Sequence, residues 1–472
     1  MADKVSVSIP EMDTLSEEQE QTVTLFLNDI FKQFGDTYPP QFMRCPNEGD
    51  RRILAYKYLK ARHWSTTKAM DMVTKTMEFR EKNNADSEIL FRCAFPLRGF
   101  DEEDICRTLN EPFTEEERAV DLCYLAMVPY YSTGYHYWDK EGHPVLYDFS
   151  GRCDVKGLLK SASRVTPVGC QLKDTFLSYH LYMNLVQERL VRYADVKSVA
   201  KGGRRILGTT VVLDAEGLHM GMIGSQIIDI VRSIFQMDQE YFPEALHRLF
   251  VINCPAVVMY AFGLLKGSID ANTQQKVTFC SKAQSLEVLK KVIDEDKIPK
   301  ILGGSCECTD GCVPGVDCRC KDMKEVCASL PLTVDVSISP GKVHVVELEL
   351  QGEEEGRWEF VCTKGIGGHQ TDIHFRASFR MQDIIELPED AGKKSSVFLQ
   401  KSLDGKKLSI ADMYVEKELK STKLETDNDC FTAARRGILR LVWDNQASWI
   451  HSKHVQLRVY RRCTTSGTML SP

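Results

Sequence analysis

Leu249-Phe250-Val251-Ile252-Asn253-Cys254-Pro255 runs directly into Ala256-Val257-Val258-Met259-Tyr260-Ala261-Phe262-Gly263-Leu264-Leu265. The first half is a short apolar run stopped by a proline, which reads as a buried strand. The second is ten apolar residues between Pro255 and Lys266, far short of the roughly 20 that a membrane-spanning helix needs. Working outward, Val145 to Phe149 and Thr210 to Leu213 read as further buried strands. Ile223, Ile227, Ile228, Val231, Ile234 and Phe235 fall on one helix face, and Leu286, Leu289, Val292 and Ile293 on another. Short apolar strands alternating with amphipathic helices predict an α/β layer with largely parallel pairing.

On the N-terminal side, Ser16-Glu17-Glu18-Gln19 fits a capping box. The helix it starts places Val23, Phe26, Leu27, Ile30 and Phe34 toward one side, and Thr37-Tyr38-Pro39-Pro40 ends it. Further helices are expected from Asp50 to Arg62 and after Ser65, so residues 15–90 read as an all-helical module. On the C-terminal side, Gly303 to Cys327 holds six cysteines and no periodicity, which reads as a surface linker. After Leu330 the period drops to two. Val343 to Leu350, Trp358 to Cys362, His374 to Phe379, Ser396 to Gln400, Leu439 to Trp443 and Val455 to Tyr460 predict an antiparallel sandwich.

The totals bound the function. The 472 residues suggest two or three domains. A formal net charge of −7 removes the bulk basic field that nucleic-acid binding would use. Met1 to Met12 is polar and acidic with no apolar core, so a secretory signal is not expected. With 17 cysteines, an odd number, the thiols are expected to be reduced and the protein cytoplasmic.

Several blocks resemble the CRAL-TRIO lipid-binding family. Ile53-Leu54-Ala55-Tyr56-Lys57-Tyr58-Leu59-Lys60-Ala61-Arg62-His63-Trp64 is similar to that family's helical module, and Trp138-Asp139-Lys140-Glu141-Gly142-His143-Pro144-Val145 to its first strand and approach. Leu213 to Leu218 and Tyr241-Phe242-Pro243-Glu244 through Pro255 are similar to its central strand, turn and next strand. Leu439 to Lys453, with Trp443-Asp444-Asn445 and Trp449, resembles a GOLD (Golgi dynamics) domain. Both in this order resemble the animal subgroup of supernatant protein factor and tocopherol-associated protein; Leu146 to Ser163 is close to that subgroup.

The resemblance implies an α/β fold: a helical N-terminal module (15–90), a mixed, largely parallel-sheet lipid-binding domain (120–305), a Cys-rich linker (306–330) and an all-β jelly-roll-like sandwich (331–462). It implies a carrier that takes one hydrophobic ligand or phospholipid, of the phosphatidylinositol, squalene or tocopherol class, into a gated apolar cavity. Exposing a sixteen-carbon chain to water costs on the order of 10 kcal/mol at about 0.8 kcal/mol per methylene, and enclosure lowers that barrier. Val257, Val258, Tyr260, Ala261, Leu264 and Leu265 would face the gate's apolar side, with Gly263 and Gly267 as hinges. A phospholipid head group needs cations and hydrogen-bonding groups. Carried over block by block, these are Arg62, Thr209, Glu244, Thr273 and Lys276, with His63 standing where inositol-lipid binders have lysine. The implied partners are the lipid, a transient membrane surface and a protein or membrane reached through the GOLD domain, with no nucleic acid. The alternative is a lipid-sensing adaptor whose partner binding depends on ligand state.

Other constellations are set aside. Cys306, Cys308, Cys312, Cys318, Cys320 and Cys327 match none of the common zinc spacings, so no metal ligand is assigned, and no cofactor is expected beyond the lipid. Gly365, Gly367 and Gly368 lie in the β region and read as a turn. No Gly-x-Ser-x-Gly, P-loop or His-Glu-x-x-His motif occurs. No catalytic residue is therefore assigned, and His136, His180 and His219 read as structural. Lys393-Lys394 and Lys406-Lys407 read as solvated pairs.

Overall fold

Helix α1 (Glu17–Gln33) begins at the expected capping box: the Gln19 N–H donates to Ser16 Oγ at 3.2 Å, and the Ser16 N–H to Gln19 Oε1 at 3.0 Å. Its three- and four-residue spacing buries Val23, Phe26, Leu27 and Ile30. They meet Phe42 of α2 (Pro40–Met43), Tyr56, Tyr58 and Leu59 of α3 (Glu48–Ala61), and Met72 and Val73 of α4 (Thr66–Lys82). Full burial of each large apolar side chain stabilises by roughly 1.5–3 kcal/mol. After α3 the chain turns at His63 and Trp64, both at positive φ, and Trp64 packs edge-on against Tyr56. The computed structural model describes residues 15–45, 47–85, 97–111, 122–309, 311–315, 332–363, 372–381, 399–401, 407–408, 417–463 and 469–470.

Helices α5 (Glu102–Leu109) and α6 (Leu122–Met127) lead into a five-stranded sheet. Its strands are β1 (Thr133–Trp138), β2 (Pro144–Asp148), β3 (Thr209–Asp214), β4 (Leu246–Ile252) and β5 (Val277–Phe279), side by side in chain order. β1 pairs antiparallel with β2; every later pair is parallel. The crossovers are α7 (Val155–Val165) with α8 (Leu172–Ala200), then α9 (Ser225–Tyr241), then α10 (Val257–Leu265) with α11 (Ala271–Gln275), and α12 (Lys282–Val292) follows β5.

Register sorts the strands into two unlike faces. Val145, Tyr147, Val212, Phe250 and Ile252 share one, and all are buried against Leu289, Ile293 and Ile298. Leu146, Val211, Leu213, Leu249, Val251, Val277 and Phe279 share the other; Val251 is buried there and the remaining six are only half-buried. Parallel sheets ordinarily bury both faces. Helix α9 is likewise incompletely buried. Its fully buried positions are Ile230 and Met237, to one side of the expected stripe, while Ile227, Ile228, Val231, Ile234 and Phe235 keep solvent-exposed surface.

The C-terminal part is all-β, as the GOLD resemblance implies. Its strands are β6 (Val334–Ile338), β7 (Val343–Leu350), β8 (Glu354–Thr363), β9 (Ile373–Met381), β10 (Leu399–Lys401), β11 (Lys407–Leu408), β12 (Lys417–Leu424), β13 (Thr426–Thr432), β14 (Gly437–Asp444), β15 (Lys453–Cys463) and β16 (Met469–Leu470). One antiparallel sheet runs β12-β9-β14-β7; the other runs β13-β8-β15-β16, with β6 also on β15. Alternation on these strands turns Trp358, Phe360, Phe375 and Trp443 inward, where Phe360 stands edge-on to Trp443 at 5.6 Å. Of the strand expected from Ser396 to Gln400, only 399 and 400 lie among the described residues; Lys393, Lys394, Lys406, Gly365, Gly367 and Gly368 lie outside them.

Two compact units emerge: 1–158 with 176–320, and 159–175 with 321–472. The second departs from the expected boundaries, because a stretch from within the 120–305 span belongs to the sandwich. There the buried Arg458 guanidinium of β15 donates to the Thr166 carbonyl at 2.9 Å, to Glu359 at 3.0 Å and to the Arg164 carbonyl, and the Gly169 N–H donates to Gln456 at 3.0 Å. A second correction concerns the stretch read as a surface linker. Cys312 and Val313 are fully buried against the first unit's sheet, with Cys306 and Cys308 packed beside them. Thiols behave as small apolar groups, so a stretch without periodicity still buries Cys312.

Candidate functional site

The residues expected at a head group gather into two bonded networks within the first unit. Glu244, between α9 and β4, sits at positive φ, a conformation that costs on the order of 1 kcal/mol or more for a residue with a Cβ. This turn directs its carboxylate inward. Lys276 Nζ donates to Glu244 Oε2 at 3.0 Å and to the Leu246 carbonyl at 2.7 Å. Lys60 Nζ lies 3.4 Å from the same carboxylate oxygen. Thr209 opens β3 beside them: its N–H donates to the Ala245 carbonyl at 2.9 Å, and its buried hydroxyl has no partner. Burial pushes the Glu244 carboxyl up, but Lys276 and Lys60 outweigh it and hold its pKa below the ordinary value. Burial lowers the Lys60 pKa, with Glu244 opposing, and it lowers that of the neighbouring Lys57 as well.

The second network starts at Arg62, the C-cap of α3. Its guanidinium donates to the Ala61 carbonyl at 3.0 Å and to the Gln239 carbonyl at 2.9 Å. Gln239 accepts the Asp270 N–H at 2.9 Å, and Asp270 caps α11, where it accepts from the Thr273 N–H at 3.1 Å and from the Thr273 hydroxyl. His63 is exposed. Arg62 also lines a cleft of about 410 Å³ between α4 and α9, with Lys75, Phe79 and Tyr241. Lys60, Gln239 and Asp270 were missed by sequence reasoning. Lys60 stands two residues before Arg62 in the block already singled out, and that proximity was the available signal.

The six residues expected on the gate all lie on α10. Val258 is buried against Val251 and Ala215, with Leu213, Leu249, Val277 and Phe279 packed around it. Phe262 meets Phe279 edge-on at 5.0 Å. Thus α10 covers part of the half-buried sheet face. Its outer side is apolar too: Met259 is 57% exposed, Tyr260 53% and Leu264 37%. The segment carries no charged residue. It springs from a firm base, where Asn253 at positive φ donates to Asp214 at 2.8 Å and Arg152 donates to the same carboxylate at 3.1 Å. Among the described residues no helix is long and apolar enough to cross a membrane.

The histidines have other roles. His180 Nε2 lies 2.7 Å from Asp238 Oδ1, and His219 Nδ1 accepts the Gly221 N–H at 3.2 Å. His136 faces three cysteine sulfurs.

Residues 129–304 match the CRAL/TRIO domain family. Similar curated proteins are two from Arabidopsis thaliana. Phosphatidylinositol/phosphatidylcholine transfer protein SFH13 is 26% identical over 311 residues, covering 65% of this chain and 42% of that protein. Phosphatidylinositol/phosphatidylcholine transfer protein SFH12 is 26% identical over 270 residues, covering 57% and 42%. The chain thus spans less than half the length of these relatives. Among solved structures, the crystal structure of Sfh5 is similar over 58% of this chain and 83% of that one, with 16% identity and a TM-score of 0.39.

Proposed function

We propose that the first unit binds one phospholipid and transfers it between membranes without making or breaking a bond. The observation that carries this reading is apolar surface left open where a packed α/β core would have closed it. Six residues of one sheet face and five of α9 remain half-buried, and α10 lies partly over that sheet face while presenting apolar side chains outward. Acyl chains would take the open sheet face and the α9 stripe. α10 would act as the movable cover, turning on Asn253 and Pro255 at one end and on Gly263 and Gly267 at the other. Its outer residues Met259, Tyr260 and Leu264 would enter the membrane surface during exchange.

The head group would sit at the Glu244–Lys276–Lys60 cluster, with Thr209, Arg62, His63 and Thr273 beside it. A phosphate can replace the Glu244 carboxylate at Lys276 and Lys60, exchanging one charge-assisted bond for another. The unpaired Thr209 hydroxyl is a further donor. The names of the two plant relatives favour a phospholipid over squalene or tocopherol. No cofactor other than the lipid takes part. In the sandwich, Trp449 and Ile450 are 92% and 79% exposed, and this loop would supply the GOLD-like unit's contact with a protein or membrane surface.

Native mass spectrometry of the full-length protein, followed by lipid extraction, tests the reading. One co-purified or added phosphatidylinositol or phosphatidylcholine per chain is expected, with exchange between vesicles. Failure of both lipids to bind would discard the phospholipid carrier, and one bound lipid that does not exchange between vesicles would favour the lipid-sensing adaptor.

A further inference from the structure

The cysteine-rich stretch after the CRAL/TRIO sheet carries chemistry that lipid transfer does not use. Cys306, Cys308 and Cys312 bring their sulfurs to His136 of β1, about 170 residues earlier in the chain. All four candidate ligand atoms lie within 4.8 Å of one another. The Cys306 and Cys308 sulfurs are 3.7 Å apart, which is non-bonded and not a disulfide. His136 Nε2 is 3.6 Å from the first and 3.5 Å from the second.

The three separations among Cys306, Cys308 and His136 are those of a tetrahedron's edges, and the Cys312 sulfur lies within 4.8 Å of all three. With zinc–sulfur bonds of about 2.3 Å and zinc–nitrogen bonds of about 2.0–2.1 Å, tetrahedral angles place two sulfurs about 3.8 Å apart and a sulfur and nitrogen about 3.5–3.6 Å apart. The Cys312 sulfur also lies 3.4 Å from the Cys306 carbonyl oxygen. Without a metal, three thiols and an imidazole have only weak S–H hydrogen bonds to share.

The surroundings are those of a closed site. His136 and Cys312 are buried, and Cys306 and Cys308 are half-buried. Val313 fills the core behind them, and a Cβ on Gly134 would come within 2.8 Å of Pro314, so the segment lies tight against β1. The Cys-x-Cys pair supplies two ligands from one turn, Cys312 a third and His136 the fourth. This explains why spacing alone pointed away from zinc: the fourth ligand is not in the cysteine cluster.

We propose that His136, Cys306, Cys308 and Cys312 form a structural zinc site that ties the end of the CRAL/TRIO unit to its first strand. Four protein ligands leave no open position, so the ion is structural and performs no hydrolysis. Cys318, Cys320 and Cys327 are not needed.

Elemental analysis of the full-length protein after dialysis tests this, with cobalt(II) exchanged into wild-type protein as the spectroscopic probe. About one zinc per chain is expected, together with the intense sulfur-to-cobalt absorption of a tetrahedral thiolate site. Cys308→Ser and His136→Ala should each weaken zinc retention against a chelator by more than the roughly 10–100-fold that losing an outer-shell partner costs. Cys170→Ser, at an exposed cysteine outside the cluster, should retain the metal. If a ligand variant fails to fold, the wild-type cobalt spectrum still decides. Folded wild-type protein with no zinc and no thiolate–cobalt absorption overturns the site, as does full metal retention by folded Cys308→Ser.

Discussion

Met259→Asp in α10 separates a membrane-engaging cover from an ordinary surface helix. Met259 is 57% exposed, so its loss removes little packing and stability should be unchanged. Complete burial of a methionine side chain is worth roughly 1.5–3 kcal/mol, and slightly more than half of that remains available on entering a bilayer. The forfeited term is therefore about 1–2 kcal/mol, a factor of roughly 5–30. The cost of bringing a carboxylate to the lipid surface adds to it, which makes the figure a lower bound. The assay is transfer of pyrene-labelled phosphatidylinositol from donor to acceptor vesicles, compared with Leu25→Asp, an exposed apolar position on α1. A Met259→Asp rate within about twofold of wild type, at unchanged lipid occupancy, would refute the reasoning: α10 would then not enter the membrane during exchange.

Three further outcomes are expected. Lys276→Ala with Arg62→Ala should weaken phosphatidylinositol binding by roughly tenfold or more, at ~1.5–3 kcal/mol per charge-assisted hydrogen bond lost, while sparing squalene; equal loss of both ligands in a folded protein would contradict the head-group assignment. Burial lowers the His180 pKa, but Asp238 more than offsets it and the net shift is upward from 6.5. A raised folded-state pKa contributes stability that is fully present below 6.5 and fades as pH rises through the folded value; a pH series of thermal unfolding should show that decline in wild type and not in His180→Gln. Arg458→Met leaves the half-buried Glu359 carboxylate without its guanidinium, so the second unit should lose about 3–5 kcal/mol; denaturant titration followed by the sandwich tryptophans would measure it, and a loss below about 1 kcal/mol would show the pair to be dispensable.

The legible parts of this fold are those where local pattern and burial agree. The capping box at Ser16 and the period-two strands at Leu439 and Val455 are local signals, and tertiary packing had nothing to override. The open sheet face was not legible. Val211, Leu213 and Leu249 look the same in sequence whether their face is closed or open, and their partial exposure is visible only in the fold. The head-group positions came from family blocks, and the structure adds what those blocks lacked: Lys60 and the bonds that link Glu244 to Lys276. His136 reads as structural in sequence because its cysteine neighbours lie about 170 residues further along the chain, beyond any spacing rule.

The strap at 159–175 makes the second unit discontinuous. The chain leaves the first unit after Leu158, contributes Arg164 and Thr166 carbonyls to a bed on β8 and β15, and returns at Phe176. A gene fragment starting at 321 would produce a sandwich whose Arg458 has lost two of its acceptors, and one ending at 320 would carry 159–175 without the β8 and β15 residues that it bonds. Recombination that moved the sandwich to another chain would have to bring along an internal piece of its neighbour. Dissection experiments should therefore graft 159–175 onto the C-terminal fragment so that the second unit is whole.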